Sequence, residues 1–444
     1  MRVPQKPPDH MEMWQAMFAK PDRLTTVFAT VSAQTPQDKY LHWDKLRHLK
    51  PPDDLSREEW WFALKVHRQS QRKKTPLTDV HGAPFYYGLA DPIPETLHYV
   101  DQGAAGAIAM PDPITNPDTK DRYLVGSLIE EAITSSQLEG AATTRPVAKE
   151  MIRTGRAPRD HSERMILNNF RTMQRIGKLR HERLSKELIL ELHRLVTKET
   201  LDEPSAEGRF REPGEEVVVD DNYGQVFHKP PPAEELPDRM SALCDFANGE
   251  REREFMHPVV RSILLHFWLA YDHPFIDGNG RTARALFYWS MLHRGYWLCE
   301  FISISEIIRK APVKYGRAFL YTETDENDLT YFLVYHLDVI RRAVDGLHKY
   351  VARKTEELQA LESELRGITV LNHRQRALIS HALRHPQQRY TIESHRLSHN
   401  VAYQTARTDL LDLAERGLLE SGKVGREWHF RPVDNLDTLL GEMV

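Results

Sequence analysis

One short run concentrates the chemistry of this chain: His273-Pro274-Phe275-Ile276-Asp277-Gly278-Asn279-Gly280-Arg281-Thr282-Ala283-Arg284. It holds a titratable base, a carboxylate, two glycines flanking an amide, and two arginines. Glycines so spaced let backbone N–H groups converge on an anion, and a helix starting just after them adds its positive end. Arg281 and Arg284 stand at i and i+3 of that helix, so both can face one bound group. Asp277 could hold a divalent cation between phosphate oxygens. His273, at the lip, could take a proton from an incoming hydroxyl. The run reads as a phosphate-binding, proton-abstracting site. The bland alternative is a glycine-rich helix start with surface arginines.

The elements that must position this run are mostly helices. The segment 258–271 carries Val259, Val260, Ile263, Leu264, Phe267 and Trp268, apolar nearly all round, which predicts a central buried helix. His266 on it reads as a satisfied core histidine. A helix over 281–294 follows, stopped by Gly295. Upstream, Tyr123, Leu124, Ser127, Leu128, Glu131 and Ala132 fall at helical spacing in a helix that Gly140 ends. Glu139 then sits at the negative end of the helix dipole, unfavourable unless a cation answers it. Further helices are expected over 146–154, 162–176, 185–200, 234–248, 303–310, 315–321 and 329–349. Between them, Glu215–Val219 and Gln225–His228 flank Asp220-Asp221-Asn222-Tyr223-Gly224, the pattern of a β-hairpin.

Composition sets the frame. A chain of 444 residues is too long for one small core, so two or three domains are expected. A net charge of −4 gives no global signal for polyanion binding. Two cysteines, Cys244 and Cys299, form no metal-ligand spacing, and a reducing, cytoplasmic setting is expected. The N-terminus lacks the apolar core of a signal peptide, and no run approaches the ~20 apolar residues of a spanning helix, so no membrane partner is expected. Residues 1–120 show no chemistry. They contain a helix over 57–68 capped by Ser56, and a basic run, 68–74, that reads as a solvated helix end. Arg353 to Arg366 reads as a charged connector. After it, a helix over 374–384, a strand and helix over 390–398, a helix from Ser398 to Glu415 and two strands around Gly422–Arg426 give the winged-helix order. Tyr403, Gln404, Thr405 and Arg407, with Lys423 and Arg426 at the wing tip, could contact DNA. Such modules also serve protein–protein contacts.

The run from His273 to Arg284 matches, at every specified position, the Fic signature His-Pro-Phe-x-[Asp/Glu]-Gly-Asn-Gly-Arg-x-x-Arg. Ser135-x-x-x-Glu139-Gly140 resembles the inhibitory motif of that family. Gly208-Arg209-Phe210-Arg211 and the hairpin carrying Val218 and Val219 resemble its substrate-binding flap. The resemblance covers roughly 120–345. It implies a mainly α fold: a Fic-type helical core with a β-hairpin flap, plus the C-terminal winged helix-turn-helix domain. The corresponding division is 1–120, an N-terminal helical region; 121–349, the core, with an inhibitory helix over about 121–140 and a flap over about 208–232; 350–369, a helical linker; and 370–444, the winged-helix domain.

The activity implied is adenylylation, the transfer of AMP from ATP to a Ser, Thr or Tyr hydroxyl of a protein, with the chain itself among the candidate targets. His273 would deprotonate the hydroxyl and Asp277 would bind Mg²⁺, with Mn²⁺ as an alternative. Gly278, Asn279 and Gly280 would form the anion nest. Arg281 and Arg284 would hold phosphates, and Tyr315 would border the adenine pocket. Glu139, with Ser135 and Gly140 of its motif, would pair with Arg284 and hold the site off. Gly280 argues against the phosphotransferase branch, which carries lysine there. Two alternatives stay open: an enzyme that also removes AMP, and a DNA-binding regulator whose Fic core senses nucleotide. A homodimer is compatible with the resemblance.

Overall fold

The computed structural model describes residues 2–30, 39–52, 54–104, 117–220, 224–249, 254–367, 370–424, 427–441 and 443. It divides into two compact units, one of Met1–Ile108 with Ser127–Val344, the other of Ala109–Gly126 with Asp345–Val444.

The first unit is built around two helices, Pro258–Asp272 and Asn279–His293. In the former every residue from Val259 to Leu269 is buried, because its apolar side chains leave no face for water. Pro258 at its first position costs no hydrogen bond there. His273 ends it in the left-handed conformation, φ 45°. Six residues later the motif helix begins at Asn279, so the chain between is a tight connection that projects its functional groups from two rigid elements. Around this pair lie His161–Leu179, capped by Asp160, and Lys186–Thr197, capped by Ser185. Pro117–Leu138 packs its Glu131–Ser136 turns into the same core, where all six residues are buried.

The N-terminal helix Arg57–Ser70 has the capping box of Ser56 and Glu59. Trp60, Trp61 and Phe62 are buried in a cluster with Val27, Trp43 and Leu46. The basic run that follows is solvated only at its end: Lys74 is exposed, whereas Arg68 and Arg72 are not. Arg68 is buried, donating to the Leu41 carbonyl at 3.1 Å and to the Tyr331 hydroxyl at 3.0 Å. Arg72 lies 3.3 Å from Glu326. Lys65 is buried in an ion pair with Asp325. Lys65 and Arg72 are paired by the loop before Thr330, a partner no local pattern could reveal. Lys73–Thr78 and Pro84–Tyr87 form an antiparallel hairpin.

The helix Thr330–Gly367 runs on without a break through the segment expected as a separate connector; nothing in the sequence between them terminates a helix. In the second unit, His373–Arg384, Ile392–His399 and Tyr403–Glu415 surround a core that includes Leu378, Ile379, Leu410, Leu413 and Phe430. The helix expected from Ser398 is interrupted, because Asn400 adopts φ 49° and closes the preceding helix, so the next begins at Tyr403. Strand Glu427–Pro432 lies between Tyr390–Thr391 and Leu419–Val424, antiparallel to both. Lys423 sits over the Trp428 ring at 4.8 Å; Arg426 lies outside the described residues. Among the described residues no helix is long and apolar enough to cross a membrane.

Candidate active site

The motif helix begins at Asn279, two residues earlier than the sequence pattern suggests, with Gly278 as its N-cap at φ 82°. A Cβ at Gly278 would lie 2.6 Å from Thr197 Cγ2, so both backbone twist and space demand glycine. Asn279 turns its side chain back into the loop. Its Oδ1 accepts from Phe275 N at 3.0 Å and its Nδ2 donates to Phe275 O at 2.7 Å. The Asn279 amide thus braces the loop, leaving backbone N–H groups as the donors at the helix start.

His273 lies at the C-cap of the preceding helix. Its Nδ1 is 3.2 Å from the Ala270 carbonyl, so Nδ1 carries the proton and Nε2 keeps its lone pair. Burial depresses its pKa to about 4, the largest cause, so the ring is neutral near neutral pH. Next to it Asp272 is buried, accepting from Arg239 at 2.8 Å and Trp268 at 2.9 Å.

Arg281 and Arg284 are both buried. Arg281 donates to the Val196 carbonyl at 2.9 Å and sits 3.4 Å from Asp277 Oδ2. Its Nε is buried without a partner among the described residues. Arg284 is held three ways: its Nε donates to Ser135 Oγ at 2.8 Å, and its Nη2 to Ser135 O at 3.0 Å and to Glu139 Oε1 at 2.8 Å. Glu139 stands just past the end of Pro117–Leu138, and Gly140 follows with φ 92°. The cation that its helix end calls for is Arg284. Burial alone would raise the Glu139 pKa, but the charge and hydrogen bond of Arg284 outweigh it and the pKa is lowered. The carboxylate also lies directly over Gly280, where a Cβ would fall 2.2 Å from Glu139 Oε1. An anion therefore already occupies the start of the motif helix. Asp277 is exposed, its side chain 59% accessible. Among the described residues no three His, Cys, Asp or Glu side chains come together as a metal cluster. A hard cation at Asp277 would thus take one carboxylate from the protein and its other oxygens from substrate and water, which suits Mg²⁺. Tyr315 Oη is 2.9 Å from His266 Nε2, but His266 Nδ1 is buried without a hydrogen-bond partner among the described residues, so the core histidine expected to be satisfied is only half so. Burial pushes the Tyr315 hydroxyl up to about 12.

The flap is tied down at its base. Arg211 is buried; its backbone N donates to the Pro274 carbonyl at 2.9 Å, its Nε to the His273 carbonyl at 3.0 Å, and its Nη2 to Pro231 O. Val219–Asp220 pairs with Val226–His228 in a short antiparallel ladder. Val218 and Val219 are exposed beside it, and the turn residues Asp221–Tyr223 lie outside the described residues. Two histidines that sequence reasoning missed complete the base. His193 Nε2 donates to the Asp277 carbonyl at 2.9 Å while its Nδ1 accepts from Gly208 N at 3.0 Å, and its ring stacks on Phe275 at 3.7 Å. One neutral imidazole so joins the loop to the flap. Its sole sequence signal is a histidine inside the apolar stripe of Leu188, Leu192 and Val196. His228 faces acceptors at both nitrogens, Glu323 at 2.8 Å and the Tyr271 carbonyl at 2.7 Å. Burial opposes its charge, but Glu323 outweighs it and the pKa is raised.

Residues 183–291 match the model of the Fic/DOC family. That stretch of the chain resembles a Fic domain. A protein adenylyltransferase Fic of Nematostella vectensis is 29% identical over 170 residues, 36% of this chain and 37% of that protein. One of Drosophila willistoni is 37% identical over 111 residues, 24% of this chain and 20% of that protein. The chain thus matches between a fifth and little more than a third of the length of these curated relatives. A crystal structure of a Fic family protein from Desulfovibrio desulfuricans G20 superposes with a TM-score of 0.53 at 20% identity, over 78% of this chain and 98% of that one. That likeness is one of fold, and it extends well beyond the matched domain.

Proposed function

We propose that the chain is a protein adenylyltransferase. The observation that carries this reading is the neutral His273, its Nδ1–H tied to Ala270 and its Nε2 unprotonated, beside a helix start flanked by two buried arginines. ATP is the nucleotide that the Fic-domain likeness suggests. A Ser, Thr or Tyr hydroxyl oxygen attacks the α-phosphorus, the bond to the β-phosphate oxygen breaks, and pyrophosphate leaves. The hydroxyl proton passes to His273 Nε2. Backbone N–H groups of Gly278–Gly280, with Arg281, stabilise phosphate charge in a water-poor site, where fixed donors act most strongly. Asp277 would hold Mg²⁺, which supplies positive charge to the phosphates. The exposed edge of the flap, with Val218 and Val219, offers its backbone to an extended segment of the target.

Glu139 holds this site off. Its carboxylate lies where an incoming phosphate would meet Gly280, and it occupies the Arg284 guanidinium. The test is mass spectrometry of the Glu139→Gly protein incubated with ATP, Mg²⁺ and lysate. AMP-bearing Ser, Thr or Tyr peptides are expected, and are expected to vanish in Glu139→Gly with His273→Ala. AMP peptides persisting without His273, or none in either protein, would overturn the reading.

For the C-terminal unit we infer a winged helix, supported by three helices and a sheet in which Glu427–Pro432 is central. Tyr403 and Gln404 are exposed at the start of its third helix, where a DNA-reading surface would lie. Gel-shift titration of the full chain against duplex DNA tests this. Affinity that falls with salt, and is reduced in Arg407→Ala, is expected.

A further inference from the structure

The polar stripe that carries Ser135 and Glu139 continues one turn further back. Glu131, Ser135 and Glu139 are spaced four residues apart, so they share one helix face. Gly280, Arg284 and Tyr288 have the same spacing on the motif helix. The two stripes meet antiparallel: Glu139 lies over Gly280 and bonds Arg284, Ser135 bonds Arg284, and Glu131 bonds Tyr288. Glu131 is 2% exposed, yet its carboxylate is fully answered. It accepts from Tyr288 Oη at 2.9 Å, Ser303 Oγ at 2.8 Å, Ser305 N at 3.1 Å and Ser305 Oγ at 2.5 Å. The Tyr288 hydroxyl in turn accepts from Ile304 N at 2.9 Å, and Thr134 Oγ1 lies 3.3 Å from Ser303 Oγ. Nothing in the proposed reaction uses Glu131.

We propose that Glu131 is the register lock of the inhibitory helix, a positioning residue that seats Glu139 on Arg284 from two turns away. The inference rests on the reading of Glu139 as an inhibitor. A slip of the helix by one residue or one turn would strand a buried carboxylate away from its four donors, and a half-satisfied buried charge is strongly disfavoured. The helix is therefore seated in one register or released from it. Ser135 inherits that register on the same helix face, and Glu139 follows in the closing turn, its N–H donating to the Ser136 carbonyl at 3.1 Å. The pocket made by Tyr288, Ser303 and Ser305 presents its four donors to one position of the carboxylate.

The experiment measures auto-adenylylation of the full chain from labelled ATP with Mg²⁺. Glu131→Ala and Glu131→Gln are made in the natural sequence, and Glu131→Ala is also combined with Glu139→Gly. Glu131→Ala is expected to raise labelling at least about fivefold, the lower end of typical coupling between sites. Glu131→Gln should fall between it and the natural chain, because one acceptor oxygen is kept. In the Glu139→Gly background Glu131→Ala should change labelling by less than about twofold, since it acts only through Glu139. If Glu139→Gly itself fails to raise labelling, the inhibitory reading fails and the lock with it. If Glu139→Gly raises labelling while Glu131→Ala does not, the lock alone is overturned. Equal losses in both backgrounds would mark Glu131 as merely structural and also overturn it. Should Glu131→Ala fail to fold by circular dichroism, Tyr288→Phe removes one donor and keeps the ring. Labelling then has to rise at least about twofold, as expected for one lost network hydrogen bond, and unchanged labelling overturns the proposal.

Discussion

Replacing Glu139 by glycine gives the sharpest test of how this site is controlled. The carboxylate contributes one charge-assisted hydrogen bond to Arg284, at 2.8 Å, and its side chain is 29% exposed against 2% for the arginine. A hydrogen bond to a charged group in such a setting is worth about 1.5–3 kcal/mol. Arg284 does not move away when Glu139 is lost, because Ser135 Oγ and Ser135 O still hold its Nε and Nη2. The guanidinium is left in place with its charge unanswered, ready for a phosphate. Since each 1.4 kcal/mol is tenfold, Glu139→Gly should raise the rate of label transfer by about 10- to 150-fold at ATP well below saturation. Glu139→Gln keeps the shape and removes the charge, so it should lie between. The assay is initial incorporation from α-labelled ATP with Mg²⁺, with Glu139→Gly/His273→Ala as the blank. Equal incorporation by the natural chain and Glu139→Gly would refute the reasoning.

Three further outcomes are expected. His228 faces acceptors at both nitrogens, and Glu323 raises its pKa from the ordinary histidine value. A raised folded pKa gives stabilisation that is complete below the unfolded value and lost as pH rises through the folded one. Limited proteolysis within the flap should therefore accelerate as pH is raised above 6.5, and His228→Ala should flatten that dependence. His193→Ala leaves the Asp277 carbonyl and Gly208 N–H without their partner. It should cost roughly 2–5 kcal/mol by denaturant titration, through unsatisfied groups and the cavity under Phe275, and should slow Glu139→Gly-activated labelling. Asp325→Ala takes the buried partner from Lys65 and leaves it Glu326 at 3.4 Å, so a loss of up to about 3–5 kcal/mol is expected. Lys65→Met with Asp325→Leu should recover most of it, read as melting temperature.

Local periodicity was enough to find most helices of this chain. Runs such as Val259–Trp268 are apolar all round, and caps such as Ser56 act within a few residues. The boundaries that moved, at Asn279 and Asn400, did so because single residues adopt positive φ or because the cap precedes the pattern. Longer-range pairing was illegible. Lys65, Arg68 and Arg72 carry no local sign of a partner, yet they are answered from Asp325, Tyr331 and Glu326, some 260 residues away in the chain.

For the candidate site the division is equally physical. The sequence alone determined the reactive groups, because His273, Asp277, the glycines and the two arginines lie within one short run. It also marked Glu139 as a carboxylate in need of a cation, since a helix end is a local property. The tertiary structure decided what no local pattern carries. It turned Asn279 inward as a brace, and it made one imidazole, His193, a joint between loop and flap. It set Glu131, Ser135 and Glu139 against Gly280, Arg284 and Tyr288. Each of these depends on which faces of distant helices meet, and that is fixed only when burial of their apolar sides brings them together.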